Sequence, residues 1–373
     1  MTLAGIAWRN LQARPSRSAL TLIGIALSVA AVVALTALAW GFEASWQRAA
    51  EVRGTDAVVT RTASQNALPS PFDARVADTV RTLPQVYEVA GLLSELMSVD
   101  DAPPMFVFGW QADSFLWRHL KLISGRFPIE NGHAEVALGR LAADMLGKHV
   151  GATVYIDAEP FALVGIFDSP ALVETGAALM TLTQMQRITD HLNRVNLINV
   201  RLNDASDETT LTQFRAAVAQ ALPGYLAITS GDLVQQNVMV RLARAMSWAV
   251  TVLAVLIGGA GVFNTMLMSV FERTREIAIL LAVGWRRDRV IRMILLESLV
   301  LGLAGGVIGV VLGSLAVEVL LWSDMIRGRI DAQITAGLVW YALGVALALG
   351  LVGGVYPAVR ASGLKPASAL HAE

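Results

Sequence analysis

The chain is 373 residues long with a formal net charge of −1, 55% hydrophobic and 16% charged residues, and no cysteine. That balance lies well to the apolar side of a soluble domain and points to lipid as a partner, and no nucleic-acid partner is expected. The missing thiols exclude zinc-thiolate, iron-sulfur and cysteine-nucleophile chemistry, so an exported domain of this chain must stand on its core without disulfides.

Residues 1–17 place Leu3, Ile6, Ala7 and Leu11 on one helical face and Arg9 and Gln12 on the other, which reads as an interfacial amphipathic helix broken at Pro15. The first apolar span follows at 18–42. It is longer than a signal-peptide core and carries Trp40, Gly41 and Phe42 where a cleavage site would need small residues, so it is expected to remain as a signal anchor. Trp40, Phe42 and Trp46, with Glu43 among them, either line a substrate entrance or form the aromatic belt usual at headgroup depth.

Residues 43–244 make the large region between the first two spans. GTDAVVTRTA alternates as a strand, ARVADTVRTLPQV reads as a short helix closed by Pro84, and PPMFVFGWQ as a buried strand. EVALGRLAADMLG, ATVYIDAEP and FALVGIFDSP read as helix, strand, turn and strand, giving a compact α+β body. A second pattern, LINVRLNDASDETTLTQFRAAVAQALPGYLAITSG, gives strand, helix and strand, with Thr209 and Thr210 near the helix start, and is expected to form a second lobe or half of a split one. At both ends the helical pattern outruns the membrane, from Glu43 to Glu51 and from Asp232 to Arg244, as a helical stalk would.

Three further spans are expected at 245–271, 293–322 and 334–356, each meeting the length of roughly 20 apolar residues that a bilayer requires. Gly258, Gly259 and Gly261 in the second, and Gly302, Gly305, Gly306, Gly309 and Gly313 in the third, permit close helix approach. Glu297 and Glu318 are carboxylates within the third span and are expected near an interface or against a helix partner. A short loop at 323–333 and a tail at 357–373 complete the chain. Arginines at 9, 14 and 17, six more between 273 and 292, and Arg360 with Lys365 put the termini and the 272–292 segment on the cytoplasmic side, and the 43–244 region outside.

The segment 272–292 is strongly basic. Glu272, Arg273, Thr274, Arg275 and Glu276 leave the second span, Ile277 to Val283 follow, Gly284 makes a turn, and Arg286 to Arg292 open the next helix. The apolar stretch, with Ile277, Ile279 and Leu280, is too short to span and must pack on the membrane face or on another protein, while a basic loop resting on anionic lipid is the alternative. No G-x-x-x-x-G-K-[ST] loop, H-E-x-x-H, G-x-S-x-G or EF-hand pattern occurs, and the five histidines are scattered, with only His133 close to a carboxylate, Glu135. No catalytic, cofactor or metal residue is expected on the chain.

The run ERTREIAILLAVGWRRDRVIRMILLESLVLGLAGGVIGVVLG resembles the signature of the MacB/FtsX-like, or type VII, permeases of ABC transporters. So do W-R-N-L at 8–11, LGRLAADMLGKHVGATVYIDAEPFALVGIF at 138–167 and YPAVRASGLKPASAL at 356–370. The resemblance implies a polytopic α-helical membrane protein with four transmembrane helices and a large α+β periplasmic domain between the first two, in the bacterial inner membrane. It implies a dimer with itself or a paralogous permease, two copies of a separate ATPase that binds ATP and Mg, and a periplasmic adaptor as a further partner. The family's macrolide exporter fuses its ATPase to the same chain, whereas this sequence begins at the amphipathic helix, so the ATPase is expected on another chain.

Within the resemblance, Glu272, Arg273, Arg275, Glu276, Ile277, Ile279, Leu280 and Gly284 would couple to the ATPase, and Gly258, Gly259 and Gly261 would lie at the dimer interface. Closure of the dimer would be relayed up the stalk, a mechanism termed mechanotransmission. The function implied is export or extraction of an amphiphile, lipoprotein, peptide or antibiotic; the alternative is a regulator that moves no cargo and activates a partner such as a cell-wall hydrolase. Haem-exporting relatives use carboxylates near the outer membrane face, which makes Glu43 a candidate substrate residue.

Overall fold

The computed structural model describes residues 15–61, 69–130, 132–204, 207–236, 238–322, 332 and 334–364. The expected amphipathic helix, save its last residues, most of the 323–333 loop and the end of the tail lie outside the described residues. In chain order come α1 (Pro15–Val52), β1 (Ala57–Arg61), β2 (Phe72–Asp73), α2 (Val76–Arg81), β3 (Val86–Val99), β4 (Ala102–Trp110) and β5 (Lys121–Gly125). Next are β6 (Glu135–Gly139), α3 (Arg140–Leu146), β7 (Thr153–Ile156), β8 (Glu159–Asp168), α4 (Leu172–Thr175), β9 (Ala178–Thr181), α5 (Leu182–Ile188), β10 (Arg194–Val195) and β11 (Leu197–Leu202). The chain closes with α6 (Glu208–Ala221), β12 (Tyr225–Thr229), α7 (Ser230–Gln236), α8 (Val238–Glu272), α9 (Thr274–Ala282), α10 (Arg287–Leu321) and α11 (Ala336–Ser362).

Two compact units result. The helical unit takes 1–39, 244–320 and 332–373; the α+β unit takes 40–243 and 321–331.

In the helical unit α1, α8, α10 and α11 are each long and apolar enough to cross a membrane. Glycine rows decide how they pack, because backbones approach where no Cβ intervenes. On α10, a Cβ at Gly305, Gly309 or Gly313 would come within 2.7, 2.6 and 2.7 Å of Ile25, Val29 and Val33 of α1. The spacing of four residues makes one ridge, and the branched side chains of α1 fill it. On the adjoining face Gly302 and Gly306 meet Ala346 of α11, so α10 is held between two neighbours. Hydroxyl pairs tie α1 to α8: Thr21 to Thr265 at 2.6 Å and Thr36 to Ser247 at 2.9 Å. The remaining faces expose Leu256, Ile257, Val307, Val311 and Val352, as lipid-facing helices do.

The α+β unit is built on one ten-stranded sheet with the order β12-β1-β11-β3-β4-β9-β6-β8-β5, and β7 pairs β3 and β8. Both patterns distinguished in the sequence therefore join one sheet, through the antiparallel pairing of β11 with β3 and of β3 with β4. Residues 135–139 correct the helical reading of EVALG. They form a strand, parallel to β8 and antiparallel to β9, buried at every position. A strand covered on both faces carries no alternation, so its apolar run imitates a helix until its pairing is known. The helix begins at Arg140 and ends at Gly147, whose φ of 62° serves the left-handed cap. On α6 the start is set by Asp207, whose carboxylate accepts from the Thr209 amide and both threonine hydroxyls. Phe214 and Val218 of α6 are buried with Val59, Val200 and Ala227, while α3 and α5 cover a second cluster around Leu138, Val136 and Met180.

Candidate functional site

The segment between α8 and α10 is where chemistry and geometry meet. The helix α8 ends at Glu272, Arg273 leaves helical geometry, and α9 starts one residue later. Arg273 Nε donates to Glu276 Oε2 at 3.1 Å, and its Nη1 lies 3.6 Å from Glu297 Oε2 on α10. One guanidinium thus joins a rim carboxylate to a buried one.

Below this pair lies a cleft of about 350 Å³ lined by Arg273, Glu276, Ile277, Ile279, Leu280, Trp285 and Met293. Ile277 is buried with Val290, Met293, Ile294, Ala358 and Ala361, and Ala278 is buried too, so one face of α9 is taken by its own chain. The other is free: Ile279 is 47% and Val283 77% exposed. Gly284 turns the chain with a φ of 98°, a conformation that favours glycine. Arg289 stacks over the ring of Trp285 at 5.5 Å, and Glu272, Arg275, Arg286 and Arg287 remain exposed around it. The arrangement is a half-open apolar cleft with a charged rim, suited to receiving an apolar side chain from another protein.

Of the residues picked from sequence, Arg273, Glu276, Ile277, Ile279 and Leu280 converge on the cleft. Trp285 and Met293 complete the lining and carry no local signal, while Glu297, the span carboxylate noted above, lies beside Arg273. The signal for Glu297 was present, a carboxylate inside an apolar span, but nothing local names its partner.

The other candidates divide. Gly258 is buried, and a Cβ there would meet Leu349 and Ser28 of the same chain; Gly259 has only Val352 at 3.7 Å, and Gly261 opens onto free space. Trp40 is exposed, and Phe42 and Glu43 are half-buried. Trp46 turns inward, edge-on to Phe106 at 5.1 Å and to Phe42 at 6.4 Å. Near His133, Glu135 is taken up by Arg126, whose Nη1 and Nη2 lie at 2.8 and 2.5 Å. Among the described residues no three metal-ligating side chains gather.

The MacB-like periplasmic core domain family matches residues 18–221, and the FtsX-like permease C-terminal family matches 248–366. The chain is similar to the macrolide export ATP-binding/permease protein MacB of Azoarcus sp., at 30% identity over 98% of this chain and 59% of that protein. It is also similar to the pyoverdine export ATP-binding/permease protein PvdT of Pseudomonas fluorescens, at 27% identity, again over 98% and 59%. It therefore spans about three-fifths of the length of these relatives. Among solved structures, the periplasmic region of MacB from Actinobacillus actinomycetemcomitans aligns with a TM-score of 0.39 at 15% identity, over 50% of this chain and 95% of that one. Four helices long and apolar enough to cross a membrane, with an α+β domain inserted after the first, go with both family matches, which are those of ABC transporter permeases. The chain belongs to the MacB/FtsX-like family of these permeases.

Proposed function

We propose that the chain couples ATP hydrolysis, performed by an ATPase that binds ATP and Mg, to movement of its α+β domain outside the cytoplasmic membrane, and that this movement drives export or extraction of an amphiphile, lipoprotein, peptide or antibiotic. Both termini and the 272–292 segment face the cytoplasm in this reading, and two copies of the permease work with two of the ATPase, with an adaptor on the outer side. Glu272, Arg273, Arg275 and Glu276 make the polar contacts; Ile279 and Leu280 offer the apolar face; Gly284 sets the turn. Gly261, open to space, is the glycine best placed for a second copy, whereas Gly258 serves packing within the chain.

The observation that carries the reading is the cleft beside α9, apolar within and charged at its rim, in the one basic segment between two spans. Export is favoured because the relatives named above are export proteins. The test is ATP turnover of the assembled complex in lipid. Glu276→Arg, on the exposed rim, lowers it while the permease still reaches the membrane; undiminished turnover overturns the coupling role.

A further inference from the structure

The sequence gives α1 a span and an extension, but nothing in it says how the extension is fastened. Within the α+β unit, four attachments hold its end. The Val173 amide donates to Ser45 Oγ at 3.1 Å, and Ala49 is buried against Ala171 and Val173. Trp46 packs edge-on to Phe106. Just past the helix, the guanidinium of Arg53 lies 5.2 Å from the ring centroids of both Phe108 and Trp110, and Nε donates to Glu174 Oε1 at 2.6 Å. Glu174 is 0% exposed, and its other oxygen is 2.7 Å from His119 Nε2 and accepts from Ser169 Oγ at 2.5 Å.

A network of this kind is a poor way to gain stability alone, since well-packed apolar groups of the same volume do as well or better. What charge adds is direction. With its other oxygen held by His119 and Ser169, the buried Glu174 carboxylate sets a hydrogen-bond direction for the Arg53 guanidinium that apolar contacts do not. Gly54, with a φ of 66°, then turns the chain into β1, and Ser230 Oγ, at the start of α7, donates to the carbonyl of Thr55. The start of α7 is thus tied to the turn that follows α1.

We propose that Glu174 is a positioning residue that locks the end of α1 to the sheet through Arg53, so that the helix and the α+β domain move as one piece. This rests on the reading of the chain as a transmitter of motion. Loss of the lock leaves ATP turnover in place and disconnects the domain from it.

The experiment uses the full chain assembled with its ATPase in lipid nanodiscs, with Gln213 on exposed α6 replaced by p-acetylphenylalanine carrying a ketone-reactive spin label. Distances between labels on paired copies are measured without nucleotide and after trapping with ATP and vanadate. The parent chain is expected to show a nucleotide-dependent shift, and Glu174→Gln to lose it while still turning over ATP. Because the chain has no cysteine, a disulfide between Ala49→Cys and Ala171→Cys tests the lock directly. Formed in the Glu174→Gln background it restores the shift, and reduction abolishes it again. A parent chain with no shift removes the transmission reading and this inference with it. A shift that survives in Glu174→Gln, or one not restored by the formed disulfide, overturns the inference alone.

Discussion

The guanidinium of Arg273, in the junction between α8 and α9, stands 3.6 Å from the carboxylate of Glu297, which is buried on α10. A carboxylate in an apolar span costs several kcal/mol unless it is partnered. The pair accounts for Glu297 and gives α9 a fixed hold on α10. Because Glu276 shares the same guanidinium, a protein that engages the rim of the cleft is one side chain away from the helical core.

Removing the cation alone should therefore be worse than removing both charges. Arg273→Met is expected to lower the melting temperature of the helical unit, since it takes a cation from beside a buried carboxylate, and Arg273→Met with Glu297→Leu to recover part of that loss. Thermal melts of the purified protein in detergent measure both; additive losses in the double variant would show that the two groups are not paired.

The glycine ridge on α10 makes a contrast between positions that look alike in sequence. Gly309→Val drives a Cβ into Val29 and the Ala26 carbonyl, which lie 2.6 and 2.7 Å from it, and overpacking of this kind costs about 1–3 kcal/mol. A Cβ at Gly261 has no atom of the described residues within 4 Å, so Gly261→Ala is the matching substitution. Melting of single variants should fall for the first and hold for the second, while size-exclusion with light scattering shows whether Gly261→Ala alters self-association.

Acid should loosen the α+β domain through Glu174. Burial by itself raises the pKa of this carboxyl, but the charge of Arg53, the hydrogen bond and charge of His119 and the Ser169 hydroxyl outweigh it and hold the group below its ordinary 4.5. With the folded value below the unfolded one, the unfolded state binds the proton first. The stabilisation is then complete above the unfolded pKa and is lost as pH falls through the folded one. Asp73, held down to about 2 by hydrogen bonds from Arg75, is exposed and screened, so it adds little to the same limb. Glu174→Gln should flatten the fall in melting temperature below the ordinary carboxylate range; an unchanged acid limb would place the effect elsewhere.

Orientation is open to a direct measurement. Gln213→Cys, on the exposed face of α6, gives the chain a single thiol. A membrane-impermeant maleimide should label it in intact cells, and labelling only after lysis would reverse the proposed topology.

Much of the fold was legible because it rests on local pattern. The spans stand out since a bilayer demands length and apolarity together, and the strand, helix and strand of 197–229 follow from alternation and a helix cap. EVALG was not legible as a strand, because its burial on both faces comes from β8 and β9, far from it in the chain. The resemblance pointed to Arg273, Glu276, Ile277, Ile279 and Leu280, yet nothing local points to Trp285 and Met293, because the cleft that all of them line exists only once α9 folds back on α10.

The sequence by itself determined the four apolar spans, the basic segment between two of them and the family signatures, all of which are written in neighbouring residues. The tertiary structure decided which charges meet and which glycines are used. Arg53 reaches Glu174 across 121 positions, and Gly309 is filled by Val29 while Gly261 is left open. Such pairings depend on how helices and strands pack after they form, and side-chain complementarity over that separation leaves no period or spacing for a sequence to display.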